Sequence, residues 1–495
     1  MATQVLAEGS APNLAPEAQA REAQAREAQA RLAPLRVAPG GRYFETFEGE
    51  PFLFVGYNDA VSWPGLDGLF QRRDLPAVRA YLANIAAHGV NCVRLMLEYV
   101  HFDGRYFEEP AGTFNPAMLQ LWDDLFAMCE ELGLRVLLAP WDNFWMTRRW
   151  KFHPYNINNG GPAKTRQSFF TDEKTIACIE ARLRFVAGRW GSVLCAWDLF
   201  NEIYTNWGGT PASQMKVLAR WSRAIRDEEQ KVWGWTRPQS VSVFGPDPES
   251  HGGYEELIFR HPELDFATTH IYHPDAVDHP RDTIGPALCM AHWTRFGLEK
   301  TPAERPFMDT EHGPIALFNN EKKYLPEEFD DEYERHMMWA HLASGGAGSG
   351  MRWPGRHPHV LTPGMLRALA SLSGFLPSLD WRHFSPRPAG HEIEIASQQE
   401  HDLHAFASRD EGQALVWLLR GAYGARGVLP RREPLRHLPL TIRGLKPGAY
   451  EVRAWDTSHG RELNCRRFHS NCNRELSLEL DLENDLALAI RASST

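Results

Sequence analysis

The sequence predicts an α/β protein, a (β/α)8 barrel followed by a small antiparallel β-sandwich. Two observations carry this. Between residues 41 and 384, eight short apolar runs alternate with amphipathic stretches, the pattern of parallel strands joined by crossover helices. After Pro386 the apolar period drops to two and helical spacing disappears.

Taken in order, residues 1–40 form a leader. Glu17-Ala18-Gln19-Ala20-Arg21 recurs at 22–26 and 27–31. The repeat is rich in helix formers, but a five-residue period gives no apolar stripe, so it reads as disordered chain or a short solvated helix, with a partner-binding arm as the alternative. The barrel spans 41–384. Its strands are the runs 52–57, 92–95, 135–139, 193–200, 239–244, 266–270, 306–310 and 348–352. Its helices are 75–88 (apolar at 75, 78, 82 and 85), 116–132, 175–190, 215–232, 254–260, 285–296, 332–343 and 362–376. A doubly wound open sheet is the alternative, but no G-x-G-x-x-G follows the first strand. Residues 385–495 alternate at 391–395, 403–407, 414–419, 438–442, 448–454 and 476–482, with turn signals such as Lys446-Pro447-Gly448 between them, as a sandwich requires.

Composition excludes several classes. The chain has 495 residues, 43% hydrophobic and 23% charged, with a net charge of −10. A nucleic-acid binder needs a basic field, so that class is disfavoured. No stretch reaches the ~18 apolar residues of a membrane span. The start has no basic n-region and no apolar h-region, which predicts no signal peptide and a cytoplasmic location. Seven Cys without a C-x-x-C pair predict buried reduced thiols; Cys465 and Cys472 near His469 match no common zinc spacing. The 17 Trp call for a large core or a stacking surface. Those at 141, 145, 150, 207 and 353 fall on or near the strand-to-helix rim, where each is placed either to stack on a ligand or to pack; 122, 190 and 339 belong to packing.

In a (β/α)8 barrel the active site lies at the C-terminal ends of the strands. Here those ends read Gly56-Tyr57-Asn58-Asp59, Arg94-Leu95-Met96-Leu97-Glu98, Pro140-Trp141-Asp142-Asn143, Trp197-Asp198-Leu199-Phe200-Asn201-Glu202, Thr269-His270-Ile271-Tyr272, Met308-Asp309-Thr310-Glu311-His312 and Met351-Arg352-Trp353-Pro354. Glu202 and Glu311 end strands four and seven, which face each other across the barrel. Two facing carboxyls suit glycoside hydrolysis: one protonated to serve the leaving oxygen, one ionised to attack.

Asn201-Glu202 with Glu311 resembles the clan of retaining glycoside hydrolases built on (β/α)8 barrels. Gly89-Val90-Asn91-Cys92-Val93-Arg94, His270-Ile271-Tyr272 and Trp353 look like glycoside hydrolase family 5, the cellulase and β-mannanase family. The resemblance covers 41–384; Gly448-Ala449-Tyr450-Glu451-Val452 and Trp455-Asp456-Thr457 look like domains appended to such barrels. It implies Glu202 as general acid/base, Glu311 as nucleophile, Asn201 on the sugar 2-OH, and Arg94 holding Glu311 ionised. It also implies Tyr272 on Glu311, His270 near the acid/base and Trp353 under the reacting sugar. Family members commonly place a His after strand three; Trp141-Asp142-Asn143 looks more like a loop of some β-mannanases. With Asn58, these three complete the expected substrate contacts.

Blander readings stand beside these. Glu202 could be a surface residue, and Asp309 shares the inward parity of Glu311, so only the family pattern selects Glu311. His270, Tyr272 and Trp353 could be packing. Glu327-Glu328 and Asp330-Asp331-Glu332 read as a solvated helix start, and His357-Pro358-His359 as a polar loop. The expected activity is retaining hydrolysis of β-linked gluco- or manno-configured glycosides, oligo- or polysaccharide included. No metal or cofactor, no nucleic acid and no membrane is called for. A non-catalytic carbohydrate-binding barrel or a transglycosylase is the alternative. The sandwich, with two Trp, fits a docking role better than sugar binding.

Overall fold

A computed structural model of the chain describes residues 32–98, 105–245, 247, 253–273, 279, 281–314, 325–354, 360–396, 402–421 and 433–493. The repeat at 17–31 and His357-Pro358-His359 lie outside these. Eight parallel strands form the barrel: β1 (Phe54–Asn58), β2 (Cys92–Met96), β3 (Arg135–Ala139), β4 (Leu194–Asp198), β5 (Gln239–Ser240), β6 (His270–His273), β7 (Glu311–Pro314) and β8 (Gly348–Arg352). Their order is β5-β4-β3-β2-β1-β8-β7-β6, and a parallel bridge between Phe244 and His270 closes the ring. The helices that follow each strand are α1 (Leu75–Ala87), α2 (Pro116–Glu131), α3 (Glu173–Arg189), α4 (Pro211–Trp233), α5 (Glu255–Arg260), α6 (Ile284–Lys300), α7 (Glu327–Ala343) and α8 (Pro363–Phe375).

Local chemistry sets these boundaries. The side chains of Asp74, Asn115, Asp172, Thr210 and Thr362 accept the first free N–H groups of α1, α2, α3, α4 and α8. A proline in the first turn of all but α3 suits a position whose N–H has no helical partner. β2, β3 and β4 are buried at every residue, because helices cover one face and the barrel interior fills the other.

Three strands depart from expectation. β6 and β7 begin at His270 and Glu311, several residues after the apolar runs at 266 and 306, and β5 keeps only two ladder residues. The apolar residues of those runs, Phe266 and Met308, fill the barrel floor with Phe54, Cys92, Leu137 and Met351. Leu35 and Phe44 join this floor from a three-stranded antiparallel sheet (Leu35–Val37, Phe44–Thr46, Pro51–Phe52) that plugs the N-terminal mouth. Residues 35–37, which the sequence placed in the leader, are thus a strand of this plug. Phe44 packs edge-on against Phe54 at 4.9 Å and Phe266 at 5.4 Å.

The C-terminal region is antiparallel. β9 (Arg387–Pro388), β11 (Leu403–Arg409), β12 (Gln413–Arg420), β14 (Gly448–Asp456), β15 (Arg461–Ser470) and β17 (Asp485–Ala492) make a six-stranded sheet. β10 (Ile393–Ile395), β13 (Leu435–Arg443) and β16 (Glu475–Leu482) make a second, three-stranded one. Leu438, Leu440, Ile442 and Leu476 of the second sheet pack with Val416, Leu418, Leu488 and Ile490 of the first, so the two face each other across one core. Both Trp of this region face the barrel: Trp417 packs on His336 of α7, and Trp455 on Phe375 of α8. Arg335 of α7 donates to Asp485 Oδ1 at 2.6 Å. All seven Cys are free, but Cys465 and Cys472 are exposed, against the expected burial, because β15 is an edge strand and Cys472 lies in the turn after it. No helix among the described residues is long and apolar enough to cross a membrane.

Candidate active site

Every barrel strand points its C-terminal end at one rim, and Arg94 is the hub there. Its guanidinium is buried. Nη1 donates to Asn58 Oδ1 at 2.7 Å and to Glu311 Oε2 at 2.9 Å; Nη2 donates to Asp198 Oδ2 and to Asn201 Oδ1, both at 2.6 Å. One planar cation therefore ties β1, β2, β7 and the β4 end together. Burial acts to lower the Arg94 pKa, but Asp198 and Glu311 outweigh it and raise it, so the charge is fixed.

Glu311 is held at both oxygens. Tyr272 Oη donates to Oε1 at 2.6 Å, while Arg94 takes Oε2. Registration of Glu311 with His270 and of Gly313 with Tyr272 across β6 and β7 puts those side chains beside it. Glu202 lies across the ring, four residues past β4, with φ of 52°, the left-handed region that non-glycine residues rarely enter. Three bonds hold this turn. The Glu202 N–H donates to Ser242 Oγ at 3.1 Å, Ser242 Oγ donates to Asp198 Oδ2 at 2.8 Å, and Asn143 Nδ2 donates to the Glu202 carbonyl. His270 Nδ1 stands 2.8 Å from Glu202 Oε1 and 3.7 Å from Glu311 Oε2, so one ring bridges the two acids.

The electrostatics differ between the two acids. Burial pushes the Glu202 carboxyl above its usual range; Glu311 adds to this, and His270 and Arg94 oppose it. Burial acts to lower the His270 pKa, but Glu311 and Glu202 outweigh it and raise the ring. Burial, then Glu311, pushes the Tyr272 phenol well up, so it keeps the proton it donates to Glu311 at neutral pH. Single donor atoms of Glu202, His270 and Glu311 all lie within 4.8 Å of one another. They are the residues able to hold a cation, but the Arg94 guanidinium already supplies a positive charge on Glu311 at 2.9 Å.

No protein-family model and no curated protein matches the sequence. Solved structures do resemble the chain. One is a glycoside hydrolase, 14% identical, with 94% of this chain and 98% of that chain covered at a TM-score of 0.59. Another is a glycoside hydrolase family 5 structure from Bacteroides vulgatus, 14% identical, with 93% of each chain covered at a TM-score of 0.60. The fold is that of these glycoside hydrolases. Coverage this complete takes in the sandwich as well as the barrel.

Arg94, Asn201, Glu202, His270, Tyr272 and Glu311 come together at one rim of this fold. Trp353 follows β8 on the same rim and is partly exposed; Trp63 packs edge-on against it at 4.9 Å. Trp63, Asp198 and Ser242 were not read from the sequence as site residues. Asp198 could have been, since it ends β4 at the strand position facing β5 Ser240.

Three residues expected to meet substrate, Asn58, Trp141 and Trp207, turn out differently, and Asn143 and Asp142 have structural roles as well. Asn58 is buried and saturated: Nδ2 donates to the carbonyls of Thr310, Met351 and Arg352, and Oδ1 accepts from Arg94, which leaves nothing for a sugar. Trp141 is fully buried among Tyr155, Phe169 and the guanidinium of Arg182, 4.1 Å over its ring. Trp207 is equally buried against Phe169 and Phe200, so neither indole can stack on a ligand. Asn143 spends its amide on the Glu202 carbonyl. Asp142 caps the short helix Asn143–Arg148 through Oδ1, while its Oδ2 has no partner among the described residues. Burial, with Glu202 and Glu311 adding, pushes its carboxyl well above the usual range.

Proposed function

We propose that this protein is a retaining β-glycoside hydrolase acting on gluco- or manno-configured substrates by double displacement. The observation that carries the reading is the approach of Glu202 and Glu311, whose nearest facing oxygens stand within 4.8 Å. A retaining pair is ~5–5.5 Å apart, whereas an inverting pair leaves ~6.5–9.5 Å for a water. Glu311, gripped by Arg94 and Tyr272, attacks the anomeric carbon from one face. Glu202, its proton favoured by burial, donates it to the departing oxygen. A covalent glycosyl ester on Glu311 results. Glu202, now ionised, takes a proton from water, which adds to the anomeric carbon and frees Glu311. His270 bridges both carboxyls and balances their charge as the proton moves. Asn201, oriented by Arg94, supports the sugar 2-OH, and Trp353 offers an aromatic face to the ring. The preference for gluco- or manno-sugars rests on the resemblance of the sequence motifs alone.

The test is a screen of aryl β-glycosides and β-linked polysaccharides with proton NMR of the first-formed anomer. Retention is expected, and Glu202→Gln and Glu311→Gln should fold and lose turnover. An inverted product, or near wild-type rates in the Glu311 variant, would overturn the assignment.

A further inference from the structure

We infer that His312 is a positioning residue of this site, a buried imidazolium that clamps the Glu311 strand to β6 on one side and to α7 on the other. The inference rests on the reading of Glu311 as the reacting carboxylate. His312 follows Glu311 directly, but the pleat turns it to the opposite face of β7, away from the rim. Its side chain is fully buried, with Nδ1 2.6 Å from Asp309 Oδ2 and Nε2 3.3 Å from Glu334 Oε2. A neutral imidazole has one N–H and one lone pair, so it would set a lone pair against one of these carboxyl oxygens. With both carboxyls ionised, only the doubly protonated ring satisfies both.

Each partner reaches a catalytic element. Asp309 Oδ1 accepts the Ile271 N–H at 3.0 Å, and Ile271 sits between His270 and Tyr272. The Asp309 N–H donates to His341 Nε2 at 3.0 Å, on α7. Glu334 lies 3.6 Å from Arg352 Nη1, and Arg352 pairs with Asp330, which ties in β8 just before Trp353. The Trp353 N–H donates to the His312 carbonyl at 2.6 Å. Gly350, at a φ of 71°, leaves the space this requires: a Cβ there would stand 3.0 Å from Asp309 Oδ2 and 3.2 Å from His312 Nδ1. The cluster holds three carboxyls and two cations, so a neutral His312 would leave two buried carboxyls in excess. Around it, the Tyr333 ring lies 5.6 Å from the Arg352 guanidinium, while Tyr272 of β6 and Cys289 of α6 both feel the charge of Asp309.

Burial acts to lower the His312 pKa, but Asp309 and Glu334 outweigh it and push the ring up to about 9. The clamp is therefore charged through neutral pH and lets go as the pH rises through that value.

The test uses the full chain labelled with 15N-histidine. NMR should show both His312 nitrogens protonated at neutral pH, with a midpoint near 9. Glu334→Gln removes one partner, and should lower that midpoint by about one pH unit or more and shift the ring signals of His270. A 2,4-dinitrophenyl β-glucoside or β-mannoside needs no proton from Glu202 to lose its leaving group, so the alkaline limb of kcat/KM on it reports this clamp. That limb should move down with the Glu334→Gln midpoint. In His312→Gln it should vanish, with kcat lower by about tenfold or more and KM within about threefold. A His312 ring that is neutral at pH 7, or His270 signals unmoved in both variants, would overturn the proposal. If no aryl glycoside is turned over, the hydrolase reading fails, while the two NMR readouts still decide the clamp.

Discussion

Replacing Arg94 tests the centre of the site, because one side chain carries both its stability and its chemistry. Arg94→Met keeps the length of the side chain and removes the charge. Four hydrogen bonds disappear, and Asp198 and Glu311, both buried, lose the cation they share. Removing one partner of a buried ion pair costs about 3–5 kcal/mol, and with two carboxyls stranded the upper end, about 5 kcal/mol, applies. Against a domain stability of about 5–15 kcal/mol the variant should still fold, with little margin. The loss should shrink at low pH, because a stranded carboxyl that takes up a proton no longer carries an unpaired buried charge. In the variant, then, stability is lost as pH rises, and urea unfolding at about pH 5 and pH 7.5 reads this slope. Arg94→Lys keeps the charge but delivers it from one nitrogen. The four acceptors are divided between Nη1 and Nη2, so a loss of about 1–3 kcal/mol is expected. Both variants should lower kcat/KM, since the guanidinium that positions Glu311 is gone or displaced. A loss under about 1 kcal/mol for Arg94→Met, equal at both pH values, would refute the reasoning, as two buried carboxyls cannot lose their counter-charge that cheaply.

Other outcomes follow from the same geometry. Burial raises the folded-state pKa of Glu202, so wild-type stability falls as pH rises through that value; the thermal-denaturation gain of Glu202→Gln should be larger at about pH 7.5 than at about pH 4.5. Asp142→Asn keeps the helix cap, whereas Asp142→Ala loses the cap and about 1 kcal/mol; equal losses in chemical denaturation would contradict the cap. Trp141→Ala should cost about 3–5 kcal/mol with its effect confined to stability, whereas Trp353→Ala should act on KM or kcat measured well below its unfolding temperature.

The elements most legible in the sequence are those with local signals. Thr362 before Pro363 announces the start of α8, and the runs at 92 and 135 are strands because every residue in them is buried. The catalytic candidates were legible for a similar reason: polar residues at the ends of such runs have no place in a packed strand unless the rim uses them. What escaped depends on partners far along the chain. Asn58 reads as a rim amide until ring closure sets β8 beside β1 and gives it the carbonyls of Met351 and Arg352, with that of Thr310 from just before β7. Asp330 reads as a solvated helix start, yet it is fully buried because Arg352, on β8, reaches it. Trp141 and Trp353 both follow barrel strands, and nothing local tells the buried one from the exposed one; the packing of Tyr155 and Phe169 over Trp141 decides it.

The two charge clusters on either side of β7 explain why these non-local residues matter to the site. In front, Asp198, Glu202 and Glu311 gather around Arg94 and His270; behind, Asp309, Glu334 and Asp330 gather around His312 and Arg352. Behind β7 three carboxyls share two cations, and in front Asp142 adds a fourth carboxyl to the three around Arg94 and His270, in a medium where an unpaired charge is far more costly than a missing apolar contact. Asn58 joins them. It accepts from Arg94 in front and donates to the Thr310 and Arg352 carbonyls, which flank Glu311 and Trp353 in the chain. A buried charged network tolerates only the geometry that satisfies all its members at once. That holds Glu311 and Glu202 at a fixed approach without a rigid loop between them, and it makes Asn58 a strut of the site, where the sequence had suggested a sugar ligand.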